Sequence, residues 1–293
     1  MRKVILFFYI MIFMGVSGFA ASTQQSTADI SKALDGKPVD YAAAKSMLSK
    51  IQFDAPFPAE VEKQNSEFGE FVKLGYLLFT QTKKYAPKYV GSALSCNNCH
   101  LNAGALANSA PMWASYGMYP AYRGKNHLVN SFENRLQGCF IYSENGIVPP
   151  SGGVILKSLS AYIYWMSKGV PVGVSLPGRG YPKVKPAKKA DLKKGEAVYM
   201  QKCAICHGKF GEGVKTRHAH EYQFPPLWGP DSYNWGAGMH KVSNFANFIK
   251  ANMPLGQSYT LSDQEAWDIA AWVNQKSHSR PTRVSDPING PAF

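Results

Sequence analysis

The motif Cys-x-x-Cys-His occurs twice, at Cys96-Asn97-Asn98-Cys99-His100 and at Cys203-Ala204-Ile205-Cys206-His207. Two thiols three residues apart match the two vinyl groups of a haem, and the histidine that follows is placed beneath the iron as proximal ligand. The competing reading of paired CxxC motifs is a four-thiolate zinc site or disulfides. Two features favour haem: the pairs lie more than a hundred residues apart, and a histidine follows both. The spacing therefore predicts two covalently bound haem c groups, held by Cys96, Cys99 and His100 and by Cys203, Cys206 and His207. Covalent haem attachment takes place in an exported compartment. The N-terminus agrees, since Arg2 and Lys3 precede an apolar run from Val4 to Met14, with Gly18 and Ala20 set for cleavage. A bilayer-spanning helix needs about 20 apolar residues, so this run reads as a signal peptide, an uncleaved anchor being the alternative. The expected location is periplasmic.

Helical periodicity surrounds each motif. Phe68, Phe71, Val72, Leu74, Leu77 and Leu78 predict a helix over 67–82 before the first, and Val154 to Trp165 predict a second over 152–168. The order recurs downstream, with a helix over 191–201 running into Cys203. Ser262-Asp263-Gln264-Glu265 then forms a capping box that opens a closing helix rich in tryptophan. A shorter amphipathic stretch, 41–51, precedes them all. Helix, haem motif, long loop, distal ligand and closing aromatic helix resemble the cytochrome c fold, twice over. The expectation is a mostly α chain with two cytochrome c domains. A signal peptide spans 1–20, a polar tail 21–39, the first domain 40–175, a basic Pro-rich linker 176–190 and the second domain 191–293. The net charge is +13, and much of it falls in or beside the linker, at Arg179, Lys183, Lys185, Lys188, Lys189, Lys193 and Lys194. That stretch reads as solvated. No Lys/Arg tract interleaved with aromatics points to nucleic acid, and no later segment is apolar for long enough to span a membrane.

Each iron needs a sixth ligand or stays open. In the second domain Met253, within Asn252-Met253-Pro254-Leu255-Gly256, precedes a proline shortly before the last helix, and a soft thioether suits iron there. Met239 is its rival. His218, His220, His240 and His278 read as surface histidines, with His240 a reserve ligand. The first domain has no Met-Pro segment, leaving Met112 and Met118 in an aromatic loop as candidates. It does have a fifth cysteine, Cys139, placed where a distal ligand belongs. Its plainer readings are a small buried apolar residue or an intermolecular bridge. In a helix, Arg135, Cys139 and Ser143 stand at i, i+4 and i+8 and share a face. A guanidinium beside a cysteine favours the thiolate, the form that binds iron or attacks sulfur.

Four segments together resemble the dihaem thiosulfate dehydrogenases: Cys96–His100, Tyr119-Pro120-Ala121-Tyr122-Arg123, Asn134-Arg135-Leu136-Gln137-Gly138-Cys139, and Asn252–Gly256. The first domain is similar, more distantly, to cysteine-ligated sulfur-oxidation cytochromes. The resemblance implies coupling of two thiosulfates into tetrathionate, or the reverse, with electrons exchanged with a cytochrome c-type partner. It implies a catalytic haem ligated by His100 and Cys139 and an electron-transfer haem ligated by His207 and Met253. Some relatives carry a ligating lysine before the methionine. This chain has Asn252 there, so a Lys/Met exchange is not expected. Thiosulfate is a dianion with no proton to remove, so the site needs positive charge and electron acceptors, not a base. Arg135 and Arg123 are the candidates, since guanidinium forks match oxyanions. Lys125 is a weaker third, and Ser143 a hydroxyl donor. Thiolate lowers a haem potential and methionine raises it, which would send electrons from the first haem to the second. The rival function is a dihaem electron carrier with no substrate of its own. A dihaem peroxidase lacks a peroxide-cleaving constellation here.

Overall fold

A computed structural model describes residues 41–49, 57–216 and 222–282. The expected signal peptide and N-terminal tail, together with His218 and His220, lie outside the described residues. Among those described, no helix is long and apolar enough to cross a membrane.

Among the described residues, the longer helices carry the architecture: α1 Tyr41–Leu48, α2 Glu67–Thr80, α3 Phe132–Gly138, α4 Val154–Met166, α5 Leu192–Lys202, α6 Val242–Asn252 and α7 Asp263–Val273. Two small antiparallel hairpins add β1 Ala121–Arg123 with β2 Leu128–Asn130, and β3 Val214–Lys215 with β4 Tyr222–Phe224. The chain is therefore mostly α, as its periodicity predicts. Each half is built on one helix crossing. α2 packs on α4 and α5 on α7, with a glycine at each contact. A Cβ on Gly75 would stand 2.1 Å from the Ser158 carbonyl oxygen, and one on Gly195 2.1 Å from that of Asp268. Glycine is what lets the two backbones approach. The side chains of Ser66, Asp191 and Ser262 accept hydrogen bonds from backbone N–H groups and fix where α2, α5 and α7 begin.

The first core forms around Phe71, Leu74, Leu78, Leu156 and Leu159. The second gathers Tyr199, Trp228, Phe245, Ile249 and Trp272, and it also takes in Leu94, Ile141 and Tyr142 from the first half. The halves are thus packed together rather than tethered. Asn234 Nδ2 donates to the Ile141 carbonyl at 2.8 Å, and Ala93 N–H donates to the Asp231 carbonyl at 2.9 Å. The segment between them follows the same rule. Its lysines 183, 185, 188 and 189 are exposed, yet Val184 is buried. Trp267 Nε1 donates to the Val184 carbonyl, and Val184 N–H donates to Asn247 Oδ1.

Candidate functional site

Around the first motif the chain makes a single turn at Cys96–Asn98, closed by Ser95 and Asn98 as a reciprocal cap. His100 follows, half-buried, and its Nδ1 lies 2.7 Å from the Ala110 carbonyl oxygen. A carbonyl accepts only, so Nδ1 carries the proton and Nε2 keeps a lone pair for a metal. Burial pushes the imidazole pKa down to about 4, which keeps it neutral. His207 repeats the device, with Nδ1 2.9 Å from the Pro225 carbonyl oxygen and its pKa lowered by burial.

A cavity of about 250 Å³ opens beside His100 and Cys96. Its walls are mainly apolar, with Phe79, Met112, Leu136, Leu159 and Ile163 among them. Into it also come Cys139, Arg135, Arg123, Tyr119 and Arg179, and, among the described residues, no carboxylate. Cys139 arrives by an unusual route. α3 ends at Gly138 and the chain continues as one π turn, Cys139–Ser143. The Arg135 side chain, one turn back, donates from Nη1 to Cys139 Sγ at 2.8 Å. The sulfur beside it raises the guanidinium pKa above its ordinary value, against the opposing effect of burial.

Arg123 Nη1 donates to the Tyr119 hydroxyl at 2.9 Å, a phenol and not a carboxylate. The structure thus brings together Cys96, His100, Cys139, Arg135 and Arg123. Ser143 is different. It closes the π turn, which has more residues per turn than the α-helix assumed for i, i+4, i+8, and it does not line the cavity. Lys125 does not line it either. Its Nζ reaches the Gly236 carbonyl of the second half at 2.6 Å and lies 3.4 Å from the Tyr142 ring centroid.

Two residues escaped the sequence reading. Arg179 belongs to the stretch read as solvated and is exposed, but it lines the cavity. The available signal was its setting, an arginine bracketed by Gly178 and Gly180 ahead of a run of lysines. Glu144 is 2% exposed just behind Cys139, with Oε2 unpartnered and its pKa raised to about 8 by burial first. Nothing in its sequence context distinguishes it from a surface glutamate.

In the second half Met253 follows α6 in extended conformation and packs, with Cys203, against the second core. Met239 is buried in that same core. Asn252 is buried and donates from Nδ2 to the Asn108 carbonyl at 3.1 Å, so it serves the contact between halves. His240 and His278 are half-buried, not surface groups. His278 stacks on Trp228 at 4.0 Å, and His240 Nδ1 meets the Ala237 carbonyl oxygen at 2.6 Å.

The donor set fits a haem at the first motif. Cys96 and a neutral imidazole with its Nδ1 already engaged line apolar walls, together with the sulfur of Cys139, while Cys99 packs against the second core. Among the described residues no group of three His, Cys, Asp or Glu side chains is arranged to hold a metal ion by itself.

Comparison with known proteins agrees with this chemistry. Residues 190–273 match the family described as cytochrome C oxidase, cbb3-type, subunit III. The thiosulfate dehydrogenase of Stutzerimonas stutzeri is 50% identical over 225 residues, which cover 76% of this chain and 72% of that protein. That of Thiomonas intermedia is 51% identical over 227 residues, covering 77% and 72%. A solved structure of the thiosulfate dehydrogenase TsdBA from Marichromatium purpuratum, as isolated, matches with a TM-score of 0.71 and 44% identity. The match covers 78% of this chain and 50% of that one. The chain belongs to the thiosulfate dehydrogenase family, enzymes of the c-type cytochrome kind.

Proposed function

We propose that this chain oxidises thiosulfate by coupling two molecules, 2 S2O3(2−) → S4O6(2−) + 2 e−, with reduction of tetrathionate as the reverse reaction. The reading rests on the kinship with thiosulfate dehydrogenases and on one observation above all. Arg135 Nη1 stands 2.8 Å from Cys139 Sγ inside a cavity that also contains His100. Two haem c groups, one at Cys96, Cys99 and His100 and one at Cys203, Cys206 and His207, would supply the one-electron acceptors that the reaction needs.

The protein's own residues divide the remaining work. His100 and His207 present Nε2 because their Nδ1 atoms are held by backbone carbonyls. Cys139, which lines the same cavity as His100, would supply a further sulfur ligand to the haem of the first site and would meet substrate sulfur there. Arg135 donates to that sulfur and faces the oxyanion. Arg123 adds a second guanidinium, oriented by Tyr119. Ser143 we assign no contact with substrate. Met253 would supply a thioether ligand to the haem of the second site, and a potential-raising thioether would favour electron flow outward. The domain limits carried forward are 40–175 and 191–293, joined by the packed segment 176–190. Residues 1–20 act as the export signal to the periplasm, and a c-type cytochrome is the electron partner.

Thiosulfate-dependent reduction of ferricyanide, run beside tetrathionate-dependent oxidation of the reduced protein, tests the activity. Activity in neither direction returns the chain to a pure electron carrier. Electron paramagnetic resonance of the oxidised protein tests the ligand. A thiolate-ligated low-spin signal is expected, and it should vanish in Cys139→Gly. Its persistence in that variant would remove Cys139 from the site.

A further inference from the structure

The cavity at Cys139 must gather two dianions that repel each other, and its positive charge is not all available for that task. Arg135 is committed to Cys139 Sγ. Arg123 is held by the Tyr119 hydroxyl and not by a carboxylate. Among the described residues no carboxylate lines the walls, and the third guanidinium there is that of Arg179.

We propose that Arg179 is a substrate-binding residue at the cavity mouth, holding the second thiosulfate while the first lies against Arg135 and Cys139. This inference rests on the thiosulfate reading and names the second anion subsite of the same site.

The backbone around Arg179 is built to place it. Gly178 and Gly180 have φ of +79° and +82°, a region where other residues are strained. A Cβ on Gly178 would meet Ala107 Cβ at 3.0 Å. Two hydrogen bonds strap the segment to the loop after the first haem motif: Asn108 N–H to the Gly178 carbonyl at 2.7 Å, and Ala110 N–H to the Gly180 carbonyl at 2.9 Å. Those two loop residues are themselves fixed. The Ala110 carbonyl accepts from His100, and the Asn108 carbonyl accepts from Asn252 of the second half. A residue destined only for solvent would not need a base anchored on both halves. Its side chain remains exposed, which suits a group that meets incoming anions from water.

The charge balance of coupling explains why such a group helps turnover. Two thiosulfates carry four negative charges, each gives up one electron, and a bond forms between their terminal sulfurs. No bond breaks and no proton moves. The product carries two negative charges. An outer guanidinium therefore grips two separate dianions more strongly than it grips tetrathionate, assisting both assembly and release.

The test uses the full-length holoprotein with Arg179→Gln, Arg179→Lys and Arg179→Glu, assayed with thiosulfate and ferricyanide. Arg179→Gln should raise the thiosulfate KM roughly 5- to 10-fold, as expected for losing one partly exposed charge-assisted contact, with kcat within about twofold. Arg179→Lys should recover part of the loss and Arg179→Glu should exceed it. The KM of the unsubstituted protein should rise more steeply with added sodium chloride than that of Arg179→Gln. The haem absorption and resonance spectra should be unchanged in all three. An unchanged KM in Arg179→Gln overturns the assignment while leaving the thiosulfate reading intact. A kcat loss accompanied by altered haem spectra overturns it too, because it would mark Arg179 as part of the strap's structure alone. A wild-type protein inert toward thiosulfate would sink both readings.

Discussion

The two halves of the molecule use one scaffold and put different chemistry on it. In each, a helix crosses a second helix at a glycine, Gly75 on Ser158 in the first and Gly195 on Asp268 in the second. In each, the motif histidine gives Nδ1 to a loop carbonyl, Ala110 or Pro225. The halves part company on the far side of the site. The first brings a π turn carrying Cys139 against Arg135, while the second brings an extended Met253 at the end of α6. Helix crossing and histidine orientation make a seat for a haem. What the seat is used for is decided in the stretch between the motif and the closing helix.

The largest expected effect separates the halves by function. Cys139→Gly should lower thiosulfate turnover by at least about 100-fold, the usual order for deleting a group that acts on the reacting atoms. Met253→Gly should leave the thiolate resonance signal in place and lower the potential of the second haem, since a methionine donor raises it. Rapid mixing with thiosulfate should still reduce the first haem in Met253→Gly but not in Cys139→Gly. Equal losses in both variants, with no haem reduced in either, would erase the proposed division of labour.

The next effect tests the shared scaffold. Gly75→Ala and Gly195→Ala each force a methyl against a backbone carbonyl that cannot rotate away, so the paired helices must separate. Each should cost about 3 kcal/mol, read by denaturant unfolding of the holoprotein. A loss in one half only would show that the crossings are not equivalent. These crossings mark what was legible in the sequence. The apolar periodicity of 67–82 and 152–168, the run into Cys203 and the box at Ser262 all follow local rules that one stretch of chain obeys by itself. The π turn after Gly138 is set by how α3 meets its surroundings, so α-helical spacing paired Arg135 with Cys139 correctly and misplaced Ser143. Arg179 was hidden for a related reason. Its partners, Asn108 and Ala110, lie some seventy residues upstream, and composition alone made it one more charge in a basic stretch.

Burial of a carboxyl gives a smaller contrast. Asp268, in the second half, is buried with its Oδ1 accepting from Asp191 N–H and Gln264 Nε2. Glu144, in the first, leaves Oε2 without a partner and has its pKa raised to about 8. A folded-state pKa above the unfolded value means the protonated form is the one folding favours. The contribution is therefore complete below about pH 4.5 and lost as pH rises toward 8. The protein should lose stability across that interval relative to Glu144→Gln, whose profile should be flatter. Parallel profiles for the two proteins would mean that Glu144 is ionised and satisfied in the folded state.

The smallest effect compares two helix caps. Ser131 Oγ accepts from Asn134 N–H at 3.1 Å and Ser262 Oγ from Glu265 N–H at 3.1 Å, and in both boxes the third residue's side chain answers the serine N–H. Either serine replaced by alanine should cost about 1 kcal/mol. The boxes differ in what they respond to. Glu265 is held below the usual carboxylate range by the Ser262 N–H first and by Lys202 after it. Its share is present above about pH 4.5 and lost as pH falls through the depressed pKa, so Glu265→Gln should flatten the acid limb. Asn134 has no charge to lose, and its box should be indifferent to acid. α3, however, carries Arg135 and delivers Cys139, whereas α7 carries no group of the cavity. Ser131→Ala should therefore lower kcat/KM for thiosulfate severalfold, and Ser262→Ala should change stability alone. If the two serines behave alike in the thiosulfate assay, then packing against the first core, and not the cap, fixes the angle at which Arg135 meets the sulfur.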